Sequence, residues 1–339
     1  MKQSSDSHWR WTGGYFLFCL PVFFYVYRLL AFEVIPADSY YLFVQYWADD
    51  LSEFQPTAPT AYRLVYLWSA LPFYEYLPLL TFSKLPAGAE LSPLRAKQAL
   101  SILSYLSTGA LLALTHYRVV TRLKHSHVVG FSVSILVFFF LQFMAIFGVD
   151  PFALAYLSLI LAGRPRSVGT ILAIGFSFLI NEKIPLLLVA YFFPYWTKWK
   201  VPAAFTAALA ALVGYVLLRH LVPLPGYTNQ LDLANYGAQL LAALPYLYSL
   251  KGIYLNIFPV ALLCWIARPR TWNRLSARPF FVLGLLYALG LCINLQYTIG
   301  SRSLYALPLF VPALARWAAA TFGSDGGVTN SSHESKLSN

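Results

Sequence analysis

Asp38 stands in Pro36-Ala37-Asp38-Ser39-Tyr40-Tyr41, just after the first long apolar run of the chain. A carboxylate there, where hydrocarbon gives way to water, has the chemistry of a general base toward a substrate hydroxyl. Asp is also a favoured helix cap, so a structural role fits the same position. Asp49 and Asp50 are rival acids in that stretch, and also suit a solvated acidic face. Arg63, in Ala61-Tyr62-Arg63-Leu64, opens an apolar block. A guanidinium there holds a phosphate through its fork of donors, or snorkels to the membrane surface. Asn181-Glu182-Lys183-Ile184-Pro185 places opposite charges side by side between two apolar blocks. They read as a helix-end pair, or as Lys183 on a phosphate with Glu182 orienting a polar partner. Asp150 before Pro151 opens another block as a cap or a supporting acid. Arg302, after Gly300-Ser301, begins the last block as an anchor or a third phosphate ligand.

The elements that must position these groups are apolar. Of 339 residues, 59% are hydrophobic and 11% charged, and the mean hydropathy is +0.60. A soluble domain carries about 25% charged residues, so this chain cannot coat a water-facing surface of its size. Apolar blocks fall near 13–34, 61–82, 98–117, 128–148, 150–163, 168–181, 184–196, 201–221, 252–267, 279–299 and 303–321. In lipid, backbone polar groups must be satisfied within the segment, which selects helices. The pattern therefore predicts an all-α, polytopic transmembrane helical bundle of about 9–11 apolar helices, some short or re-entrant. Residues 1–321 form one membrane domain, with an external loop at 35–60 and an external segment at 222–251. Residues 322–339 form a polar tail read as disordered. The first block reads as an uncleaved helix rather than a leader peptide.

Net charge is +11, but the basic residues fall in short clusters between apolar blocks. That arrangement sets topology and does not make a nucleic-acid stripe. The clusters at Arg118, Arg122 and Lys124, at Arg164 and Arg166, at Lys198 and Lys200, and from Arg268 to Arg278 are each separated by two blocks. All four are expected on the cytoplasmic side, with both termini. His116, His125 and His127 are then expected as solvated loop residues. One conflict stands. If 61–82 and 98–117 both cross, the first cluster lands outside, so 61–82, broken by Pro72, Glu75 and Pro78, is expected to lie at the interface or re-enter.

No Walker A, HExxH or GxSxG motif is present, and Cys19, Cys264 and Cys292 form no metal or disulfide pattern. The set formed by Asp38, Tyr62-Arg63-Leu64, Gly148-Val149-Asp150-Pro151, Glu182-Lys183 before Pro185, and Ser301-Arg302 resembles the polytopic GT-C class of glycosyltransferases. The resemblance implies a GT-C-like bundle, a first-loop acid as catalytic base, a polyprenyl-phosphate sugar as donor, and inverting transfer on the outer face of a membrane, here expected to be a bacterial cytoplasmic membrane. It implies no organic cofactor and leaves a divalent metal open. This chain carries a single acid at Asp38 and no large soluble C-terminal domain. A transporter or flippase for a lipid-linked or anionic substrate, and a non-catalytic membrane scaffold, are the other readings of the same charges.

Overall fold

A computed structural model describes residues 5–31, 44–45, 63–80, 91–144, 149–164, 166–193, 202–222, 238, 241, 245, 249–269, 271–293 and 302–322. Among these the chain is helical throughout: α1 (Ser5–Ala31), α2 (Leu64–Tyr76), α3 (Leu91–Tyr117), α4 (His127–Leu141), α5 (Val149–Ala162), α6 (Val168–Gly175), α7 (Lys183–Phe192), α8 (Pro202–Leu221), α9 (Phe258–Ile266), α10 (Arg274–Ile293) and α11 (Leu307–Phe322). Three stretches are long and apolar enough to cross a membrane: Pro93–Arg122, Pro202–Leu221 and Leu304–Phe322. Several other apolar helices are shorter. The loops at 35–60 and 222–251 lie largely, and the tail from 323 wholly, outside the described residues.

α2 occupies part of the block at 61–82. Its 13 residues rise about 20 Å, short of the ~30 Å hydrocarbon core. Its far end stays with the start of α3: Gln98 accepts from the Leu80 amide at 2.7 Å and donates to the Pro78 carbonyl at 2.9 Å. Tyr27, late in α1, donates to the Leu80 carbonyl. With α2 set aside, the helices alternate in direction. The Arg122 guanidinium donates to the Ala162 carbonyl at 3.0 Å, which brings the basic clusters at 118–124 and 164–166 to one end of the bundle.

That end is less watery than the sequence suggests. His116 is buried in the last turn of α3. Its Nδ1 meets the Tyr15 hydroxyl at 2.8 Å and its Nε2 meets His127 Nδ1 at 2.9 Å. Trp11 stacks on both imidazoles. The solvated-loop expectation fails for His116 because the helix runs on through Tyr117 into a π-helical turn, Arg118–Arg122, and α1 packs over it.

Arg118 is buried too, although its cluster reads as a loop. Its Nη1 donates to the Pro308 carbonyl at 2.6 Å. Pro312 lies four residues further along α11 and has no N–H, so the Pro308 carbonyl lacks its helical donor. Arg118 supplies one from another helix. A buried guanidinium is costly unless hydrogen-bonded, and an orphaned carbonyl is costly as well, so each group offsets the other's penalty.

Candidate functional site

The opposite end of the bundle collects charge where helices begin. Arg63 caps α2 with its backbone outside the helical region. Asp150 lies in the first turn of α5, where a carboxylate complements the helix dipole. Glu182 precedes α7 and Lys183 opens it. Arg302 precedes the 3-10 turn Leu304–Ala306, which leads into α11. Four helix starts thus gather with five charged side chains; at the start of α7 the Lys183 and Ile184 N–H groups are already taken by Asn181 and Pro185 has none.

Contacts between these starts are specific. Arg63 Nη2 meets Glu182 Oε1 at 2.7 Å and its Nε meets Oε2 at 3.2 Å. This two-point pair joins α2 to α7. The local pairing of Glu182 with Lys183 that the sequence offers is therefore replaced by a partner from elsewhere in the chain. The Arg63 guanidinium thus meets the Glu182 carboxylate by charge and by hydrogen bond at once.

Lys183 is placed by different means. Its backbone N–H donates to Asn181 Oδ1 at 3.0 Å. Its Nζ lies 4.1 Å from the centroid of the Tyr305 ring. The Tyr305 hydroxyl donates to the Asp150 carboxylate and accepts from Asn181 Nδ2 at 3.2 Å. Among the described residues no hydrogen bond or ion pair engages the Lys183 ammonium. Asp150, Glu182, Arg302 and Arg63 all act on it electrostatically. Among the described residues three cationic groups share this field with two carboxylates, and both carboxylates accept hydrogen bonds from protein donors.

Arg63, Asp150, Glu182, Lys183 and Arg302 thus come into one electrostatic neighbourhood. Asp38, Asp49 and Asp50 lie outside the described residues. Tyr305 is the participant that sequence reasoning missed. It sits inside an apolar block, and its only sequence signal is a hydroxyl three residues after Arg302. Asn181 was legible only as part of the turn. Tyr215, late in α8, joins the same field through Glu182, Arg63 and Arg219, with the Arg219 guanidinium over its ring. Among the described residues no group of three or more His, Cys, Asp or Glu is placed to hold a metal ion. The chain matches no protein-family model, no curated protein and no solved structure.

Proposed function

We propose that this chain is a multi-pass membrane glycosyltransferase that takes its sugar from a polyprenyl-phosphate donor at the outer face of a bacterial cytoplasmic membrane. One observation carries the reading: a Lys183 ammonium set among other charges, to which no hydrogen bond is made among the described residues, at the meeting point of four helix starts. Helix N-termini and clustered cations together favour an anion. Arg63 and Arg302 complete the cationic side of the site.

Depth supports a lipid-borne anion. Asp150 and Ala162 are 12 residues apart on α5, about 18 Å at 1.5 Å per residue. Arg122 ties Ala162 to the basic end of the bundle. With that end at the cytoplasmic surface of a ~30 Å core, the site sits roughly 10 Å below the other surface. A phosphate tethered to a lipid chain reaches such a depth, and a charged group held there needs a charged partner.

In the proposed reaction the acceptor hydroxyl attacks the anomeric carbon, the bond from that carbon to the phosphate oxygen breaks, and the polyprenyl phosphate leaves with the bonding pair. Asp38 takes the hydroxyl proton. Lys183, Arg302 and Arg63 stabilise the charge that grows on the leaving phosphate, as preorganised cations do for phosphoryl oxygens. Incubation of the purified protein with a panel of polyprenyl-phosphate sugars and acceptor alcohols tests this. Release of polyprenyl phosphate that depends on acceptor is the expected result. Transbilayer movement of intact donor in proteoliposomes, with no release, would make the protein a transporter instead.

A further inference from the structure

We propose that Tyr305 is the positioning residue of this site. Its ring face holds the Lys183 ammonium in place while leaving that ammonium's charge and donors for an anion. The inference rests on the reading that Lys183 binds phosphate, and adds the device that keeps it available.

Tyr305 is 1% exposed. Its hydroxyl is fixed from two sides, donating to Asp150 and accepting from Asn181 Nδ2. These bonds set the plane of the ring. Asn181, also buried, uses its other amide atom on the Lys183 main chain. A single amide therefore holds both the strand of chain that carries the cation and the ring that receives it. The Nζ-to-centroid distance of 4.1 Å is well within cation–π range.

The choice of an aromatic face over a carboxylate has a chemical consequence. A carboxylate would cancel the ammonium's charge and occupy its N–H groups. A ring quadrupole attracts the cation electrostatically and takes neither. Asp150 acts on Lys183 through its charge alone, its hydrogen bond from this cluster going to the Tyr305 hydroxyl. The nearby Glu182 is engaged by Arg63. Lys183 is thus oriented without being neutralised, the state in which three donors can close on a phosphate.

The test uses full-length protein in detergent micelles with farnesyl monophosphate as probe. Tyr305→Phe keeps the ring and is expected to bind within about threefold of the unmodified protein. Tyr305→Leu removes the ring face and is expected to weaken binding roughly tenfold, within the span of measured cation–π contacts. Lys183→Met is expected to weaken binding at least as much. Adding Tyr305→Leu to Lys183→Met should then cost nothing further, because Tyr305 acts through Lys183. Stepwise fluorination of the ring in the Tyr305→Phe protein conserves shape and folding while draining the quadrupole, and affinity should fall with each fluorine. Affinity indifferent to fluorination would overturn the positioning role and leave the phosphate site standing. Undiminished binding by Lys183→Met would instead remove the phosphate reading itself.

Discussion

Arg63 and Glu182 are 119 residues apart in the chain, yet their side chains meet through two charge-assisted hydrogen bonds, at 2.7 and 3.2 Å. The pair fastens the start of α2 to the start of α7 and so closes one side of the candidate site. Removing either partner breaks a two-point charged pair held in a poorly solvated position. Arg63→Met or Glu182→Gln alone should each cost about 3 kcal/mol of stability, and the double substitution less than their sum, with roughly 1–3 kcal/mol of coupling. Denaturation of the four proteins in one detergent measures the cycle.

Arg118 and Pro312 should be energetically coupled although they sit on different elements. Arg118→Met removes the side-chain donor to the Pro308 carbonyl and should cost about 2 kcal/mol. Pro312→Ala returns a helical N–H to that carbonyl. In the Pro312→Ala background the Arg118→Met penalty should shrink by about 1 kcal/mol. Equal penalties in both backgrounds would mean that the hydrogen bond contributes nothing.

Two glycines should respond in opposite directions to alanine. A Cβ on Gly130 would lie 2.9 Å from Val120 Cγ2 and 3.0 Å from His116 Nδ1. His116 cannot give way, being bonded to Tyr15 and His127. Gly130→Ala should destabilise by about 1–3 kcal/mol despite the better helix propensity. Gly169 in α6 has open space where its Cβ would go, and Gly169→Ala should stabilise by up to about 1 kcal/mol. Thermal midpoints of the two variants settle the contrast.

Topology is tested by cysteine labelling. Ser167 is exposed at the turn before α6, beside Arg164 and Arg166, and Thr57 lies in the acidic stretch that carries no Lys or Arg. In oriented membranes Ser167→Cys should react only from the cytoplasmic side and Thr57→Cys only from outside. The reverse pattern would turn the protein over and put the charged site at the cytoplasmic face.

The helical character was legible in the sequence because hydropathy alone dictates it; among the described residues each of the eleven apolar blocks overlaps a helix, with ends shifted by a few residues or more. The charged residues of the site were legible because charge at the end of an apolar block is costly and conspicuous. Their partners were not. Glu182 has an adjacent cation in the sequence, and nothing local says that Arg63 will claim it. Tyr305 reads as one more aromatic in an apolar run, because a buried hydroxyl looks the same whether or not a carboxylate waits across the interface. Arg118 and His116 read as solvent-facing for the same reason. The orphaned carbonyl and the stacked Trp11 that make their burial tolerable lie in other helices.

On the proposed function, this end of the bundle is built to hold a lipid-borne phosphate. The most direct measurement is the affinity of purified full-length protein for a polyprenyl monophosphate against the matching polyprenyl alcohol, in the same micelles. The phosphate should bind about tenfold or more tightly, a difference of roughly 1.4 kcal/mol or greater, and Lys183→Gln and Arg302→Gln should each erode that preference. Equal affinity for phosphate and alcohol, unchanged by either substitution, would contradict the account and reduce the cluster to a set of structural ion pairs.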